Sequence, residues 1–280
     1  MEQAIAGVAP APTYSYTRHA LAVRVMHWIN VVALTVLLMS GLNIFNAHPA
    51  LYWGKSSYTG RPPVLEMQAK ETDGGLAGVT RVLGREFETT GLLGASRDRA
   101  GEWSERGFPW WSTIPDNRWL SMARSWHFFF AWVLVLNGLA YVAYGLATRH
   151  LQRDLAPDGN DLRSVGQSIR DHLRFRHPTG EAAKRYNVLQ KIAYLVVIFL
   201  LLPLIVLMGL AMSPWLNAVL PGWVDVVGGR QSARTIHFVV AWLLVAFVAI
   251  HVFEVLISGA WNHLRSMITG RYTVKESSHG

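Results

Sequence analysis

Four stretches of about 20 residues, the length that crosses a bilayer as a helix, carry almost no charge and constrain this chain more than any other feature. They are Val25–Phe45, Ser125–Thr148, Ile192–Ser213 and Thr235–Ser258. At 1.5 Å per residue, each covers the roughly 30 Å hydrocarbon core. A helix of a soluble bundle keeps a polar stripe at every third or fourth position, and these stretches have none. The whole chain is 51% hydrophobic and 16% charged, against about 25% charged in an ordinary soluble domain. The expected fold is therefore an all-α integral membrane protein, a four-transmembrane-helix bundle forming one domain over residues 1–280.

The net charge of +8 does not point to nucleic acid, because the cations sit beside the spans. Arg149, Arg153, Arg163, Arg170, Arg174, Arg176, Lys184 and Arg185 lie in the 149–190 connection, with Arg18 and Arg24 before the first span and Arg265, Arg271 and Lys275 after the last. The positive-inside rule places these segments, and both termini, in the cytoplasm. The long connection 46–120 then faces outward; its nine basic and nine acidic residues cancel. Its Tyr52, Trp53, Trp103, Trp110, Trp111 and Trp119 suit the headgroup belt, or else a folded cap over the outer mouth. In the inner connection, Leu162, Val165, Ile169 and Leu173 alternate with Arg163, Arg170, Asp171 and Arg174 at helical spacing. This predicts an amphipathic helix on the membrane surface. Met1–Thr17 reads as a tail without regular structure, and its start lacks the pattern of a cleavable signal. Pro203 is expected to kink the third span.

The chain has no cysteine, which excludes iron–sulfur clusters, thiolate ligation and covalent haem attachment within it. Four of eleven histidines fall in or at the edge of the spans: His27, His127, His237 and His251. An ionisable group there is costly and marks a candidate site, although a single such histidine can simply be neutral and hydrogen-bonded. His237 and His251 are fourteen residues apart on one span. At 100° per residue they share nearly one face and differ by about 21 Å in depth. His27 lies level with His251 toward the inner side, and His127 level with His237 toward the outer. Two couples at two depths fit two b-type haems, each needing an imidazole on either face of the macrocycle. Zinc, which usually takes four ligands at one point, fits poorly. Ser40, Gly41, Gly138, Gly145, Gly209 and Ala211 either make room for a macrocycle or serve helix packing. Arg24 and Arg124 each precede a histidine by three residues, suited to a haem propionate or to interfacial snorkelling.

R-V-M-H-W-I-N in the first span, R-S-W-H-F in the second and His237…His251 in the fourth resemble the di-haem b561-type cytochromes. These are membrane subunits of formate dehydrogenase, nickel–iron hydrogenase and thiosulfate reductase. The resemblance implies an outer haem b between His127 and His237 and an inner one between His27 and His251. Y-N-V-L-Q-K at the third span resembles the family's quinone region. This implies ubiquinone or menaquinone near Asn187, with Gln190 and Lys191 as neighbours; alternatively these residues only cap the helix. The long 46–120 connection departs from the shorter ones of the formate dehydrogenase and hydrogenase branches.

The function so implied is an electron-transfer subunit of the bacterial inner membrane, not itself catalytic. It would pass electrons between a periplasmic redox enzyme, possibly molybdopterin-dependent, and quinone. Two alternatives stand beside it: a self-contained superoxide:quinone oxidoreductase, and a haem-free transporter in which the histidines relay protons.

Overall fold

The computed structural model describes residues 13–58, 60–174 and 187–275. In chain order, the short strand β1 (Thr13–Thr17) leads into α1 (Leu21–Asn46). Six strands follow: β2 (Ala50–Leu51), β3 (Leu65–Thr72), β4 (Gly75–Val82), β5 (Arg85–Glu88), β6 (Gly94–Arg97) and β7 (Trp103–Arg106). Then come α2 (Leu120–Ala147), the short α3 (Gly159–Arg163) and α4 (Val165–Leu173), and a third long element built from α5 (Val188–Val196) and α6 (Leu202–Ala211). Two short helices, α7 (Pro214–Val219) and α8 (Trp223–Val226), precede α9 (Arg230–Ile257), α10 (Ala260–Thr269) and β8 (Arg271–Lys275).

Among the described residues four helices are long and apolar enough to cross a membrane: α1, α2, the Val188–Ala211 element and α9. They coincide with the four apolar stretches, each starting four or five residues earlier and ending within two residues of the expected end. Their surfaces carry exposed Trp132, Leu136, Leu139, Leu243 and Ile250, which water would not tolerate in such density and lipid does. Near Pro203, where a kink is expected, the third span carries a π-helical turn, Val197–Leu201, between α5 and α6. Proline has no N–H to donate and its ring collides with the preceding turn, so the wider π turn relieves the clash.

The all-α expectation holds for the spans but not for the 46–120 connection, which forms strands. β2-β3-β4-β5 form an antiparallel sheet in that order, and β6-β7 form a hairpin. The segment that leaves β5 folds back across the sheet. A Cβ on Gly78 would lie 2.2 Å from the Leu93 carbonyl oxygen, and one on Gly94 (φ +78°) 2.5 Å from that of Gln68. Only glycine admits this approach. Tertiary packing is what the apolar stretches could not reveal. Leu51, Met67 and Phe108 of the cap bury themselves against Leu42 and Phe45 of α1, with Phe238 of α9 alongside. Asn46 accepts from the Phe108 N–H at 2.7 Å and donates to the Phe108 carbonyl at 3.1 Å.

Contacts divide the described residues into two units, one from the ranges Trp28–Ala140 and Ile198–Ala246, the other from Met1–His27, Tyr141–Val197 and Phe247–Gly280. The first contains the cap. In the second, β1 pairs antiparallel with β8, Thr17 opposite Arg271, so the expected tail acquires structure from Thr13; residues 1–12 lie outside the described part. The helix expected over 162–174 forms in two pieces. α3 carries an Asp158 capping box and stops at Ser164, and α4 continues the pattern with Val165 and Ile169 on it. Arg176, Lys184 and Arg185 lie outside the described residues.

Candidate functional site

In the unit that includes the cap, α2 brings His127 to face His237 of α9. Their ring centres lie 6.2 Å apart, with planes at 59°. In the other unit, His27 of α1 faces His251 of α9 at 6.4 Å and 61°. These are the two couples expected from depth. Two imidazoles that shared one metal at about 2.0–2.1 Å each, with about 1.1 Å from nitrogen to ring centre, would have ring centres roughly 6.3 Å apart. Both couples have that spacing. Rotation of one ring plane relative to the other about the shared axis is free in such coordination. Among the described residues no group of three or more His, Cys, Asp or Glu side chains gathers to hold a metal ion.

The hydrogen bonds around the first couple fix which nitrogen is available. His237 Nδ1 lies 2.9 Å from the Ile205 carbonyl oxygen. A carbonyl only accepts, so Nδ1 carries the proton and Nε2 keeps its lone pair. His127 Nδ1 lies 3.1 Å from Ser40 Oγ, whose own hydrogen is donated to the Val36 carbonyl at 2.6 Å. Ser40 is fully buried, and here too Nδ1 is the donor. Both rings are thereby oriented as a metal-binding imidazole requires.

Glycines lie against the ring edges. A Cβ on Gly41 of α1 would be 3.3 Å from His127 Cε1, and one on Gly209 of α6 3.5 Å from His237 Cε1. Of the small residues noted in the sequence, Ser40, Gly41 and Gly209 thus serve this couple. Gly145 instead admits Leu151, Ala211 packs with Met208 and Ala233, and a Cβ on Gly138 would meet nothing within 4 Å.

Around the second couple, Phe247 stacks on His251, one helical turn away, at 6.1 Å and 13°, and Tyr194 meets Phe247 edge-on at 6.4 Å. Arg24, one turn before His27, donates through Nη2 to the Ile268 carbonyl. Its Nε is buried without a hydrogen-bond partner among the described residues. That leaves a cationic donor beside the site, the feature an anionic propionate would complete. Beyond the spans, burial first and then the Arg18 charge depress His19 to about 4. The same two causes lower His263.

Arg124 does not repeat the Arg24 arrangement: it is exposed, with its guanidinium 5.6 Å above the Phe128 ring. Arg234, not among the residues expected from the sequence, precedes His237 by the same three residues. It donates to the Ala50 carbonyl at 3.1 Å and to the His48 carbonyl. The Asn137–Asn30 hydrogen bond between α2 and α1, 2.8 Å long, is likewise not among the expected features. Two amides in apolar spans were its available signal.

The structure gives Asn187, Gln190 and Lys191 local partners. Asn187 Oδ1 accepts from the Leu189 N–H at 3.0 Å, and Gln190 Oε1 from the Asn187 N–H at 3.3 Å, closing a capping box on α5. Lys191 pairs with Asp161 of α3 at 2.6 Å, both side chains largely shielded. Capping uses the Asn187 oxygen and not its NH2 group.

The family model for prokaryotic cytochrome b561 matches residues 18–270. The chain belongs to the prokaryotic cytochrome b561 family. A b561-family protein with four candidate spans is a membrane haem b electron-transfer protein, and this removes the haem-free transporter as an alternative. The chain is similar to a putative protein-methionine-sulfoxide reductase subunit, YedZ1, of Azospira oryzae, 27% identical over 239 residues covering 85% of this chain and 89% of the relative. It is also similar to a probable Ni/Fe-hydrogenase B-type cytochrome subunit of Cupriavidus necator, 26% identical over 164 residues, 54% of this chain and 67% of the relative.

Proposed function

We propose that this b561-family chain is a di-haem electron-transfer subunit of the bacterial inner membrane, with both termini cytoplasmic. His127 and His237 would hold the outer haem b, and His27 and His251 the inner one. The observation that carries this reading is the spacing of both couples, 6.2 and 6.4 Å between ring centres. Haem b bound at each couple supplies an iron that takes up and gives up one electron at a time, which links a periplasmic redox enzyme to membrane quinone.

The chain's own residues do the rest. Ser40 and the Ile205 carbonyl hold the outer imidazoles with Nε2 forward. Phe247 packs flat on the His251 ring. Arg24 is placed to balance a propionate charge at the inner site. The Asn187 NH2, at the mouth of α5, is the donor a quinone carbonyl requires, and the Lys191–Asp161 pair fixes α5 against α3 beside it. A partner enzyme is favoured over a self-contained oxidase because both relatives are named as subunits of redox enzymes. The chemistry of that partner, molybdopterin-dependent or otherwise, follows from the resemblance alone.

The test is His251→Ala in haem-replete membranes, with haem per chain measured by pyridine haemochrome. One haem should be lost and one retained. Loss of both, or of neither, contradicts the pairing.

A further inference from the structure

α10 follows α9 after only Ser258 and Gly259, the glycine making the turn at φ +106°. Two residues reach about 7 Å at most, so α10 cannot move away from the membrane boundary at which α9 ends. The last turn of α9 still shows Leu256 and Ile257 to the outside, 61% and 38% exposed.

The two faces of α10 differ sharply. One is committed to protein: Asn262 donates to the Thr273 carbonyl at 2.7 Å and accepts from its N–H at 3.0 Å. His263 meets Tyr272 at 5.3 Å, and Ser266 is fully buried. The other face shows Trp261, Leu264 and Ile268, 77%, 42% and 57% exposed. At 100° per residue these three fall within an arc of about 60°, with exposed Arg265 at its margin. An apolar stripe flanked by a long cation, with an indole in it, is the composition of a helix lying in the headgroup layer.

We infer that α10 is a second membrane contact of this chain: it lies in the boundary between headgroups and acyl chains of the bilayer crossed by α9, with Trp261, Leu264 and Ile268 in lipid. The occupant is lipid and not protein because only two residues separate the stripe from the exposed apolar last turn of a membrane-spanning helix, which keeps α10 at the bilayer boundary. The helix also carries the Ile268 carbonyl that accepts from Arg24, so lipid contact on one face steadies the support of Arg24 on the other. The placement of α10 does not depend on the haem assignment.

The chain contains no cysteine, so single cysteines can be introduced without background. Trp261→Cys, Leu264→Cys and Ile268→Cys, with Glu88→Cys on exposed β5 as the aqueous reference, are nitroxide-labelled in the full chain. They are then reconstituted into phosphatidylcholine–phosphatidylglycerol nanodiscs. Power saturation should shift all three α10 labels toward oxygen and away from a water-soluble nickel chelate, relative to Glu88→Cys, at one common depth. Nickel accessibility matching the reference would overturn the inference. So would shielding from both reagents, with spin–spin broadening if a second copy of the chain covers the face.

Discussion

Replacing Gly41 by valine tests the geometry of the His127–His237 couple most directly. The Cβ alone would stand 3.3 Å from His127 Cε1 and 3.6 Å from Nδ1. Alanine therefore asks the ring to give by a few tenths of an ångström. Valine's methyls extend about 1.5 Å further and require the imidazole to swing or α1 to move, straining the neighbouring Ser40–His127 hydrogen bond. Overpacking of this kind costs about 1–3 kcal/mol, and at 1.4 kcal/mol per tenfold this is about 5- to 150-fold weaker haem retention at this couple. Gly41→Ala should remain below the lower figure. The His27–His251 couple, built from other contacts, should be untouched. Haem per chain and the rate of haem transfer to excess apomyoglobin report the outcome: Gly41→Val should approach one haem per chain with a fast-exchanging fraction, and Gly41→Ala should stay near two. A Gly41→Val protein holding two haems with unchanged exchange would refute the argument that Gly41 makes room for a coordinated ring.

Ser40→Ala removes the acceptor that strengthens His127 as a donor ligand, which disfavours ferric iron. The midpoint potential of the haem proposed between His127 and His237 should rise while that of the one proposed between His27 and His251 stays, and a potentiometric titration showing no rise or a fall counts against the assignment. Asn187→Ala loses the α5 cap, worth about 1 kcal/mol, and should lower the thermal midpoint. Asn187→Ser keeps a capping oxygen but lacks the NH2 donor, so it should retain stability yet reduce quinone poorly; wild-type quinone kinetics in that variant would leave Asn187 a cap alone. In the cap, burial and then Arg234 lower the pKa of His48, against an opposing pull from Glu66. The unfolded chain therefore takes up a proton first, and stability conferred by neutral His48 is lost as pH falls from about 6.5 through its lowered folded value. His48→Gln should flatten that slope in thermal melts between pH 7 and 5, and an equally steep slope would assign it elsewhere.

What the sequence made legible follows from which forces are local. Hydrocarbon thickness sets span length, so the four helices could be read from unbroken apolar runs, and depth paired His27 with His251 and His127 with His237 before any coordinates. The cap could not be read this way. Its strands are held by contacts between residues far apart, such as Phe108 with Asn46 and Thr235 with Tyr52, and its strand pattern is diluted by charge and glycine. Arg234 shows a different failure, since its spacing from His237 was plain and the same argument had been applied to Arg24 and Arg124. The fate of Arg124 shows the converse: spacing puts an arginine one turn from a histidine but does not choose its partner.

The polar contacts inside the Trp28–Ala140 and Ile198–Ala246 unit share one physical task. Helices in lipid slide and rotate against each other at little cost, because apolar side chains meet lipid and protein on nearly equal terms. A histidine couple tolerates no such freedom: a one-residue shift rotates a ring by about 100°. Asn137–Asn30 pins α2 to α1, and Ser40–His127 repeats the link near the site. On α9, the Gly54 carbonyl accepts from the Gln231 and Ser232 N–H groups at the helix start, Thr235 donates to the Tyr52 carbonyl, and Arg234 reaches those of His48 and Ala50. These directional bonds lie within two turns of His237. The cap therefore acts on the site through α9: by fixing the rotation and height of that helix it holds the His237 ring opposite His127, and a cap loosened from Arg234 would loosen the couple before it loosened the span.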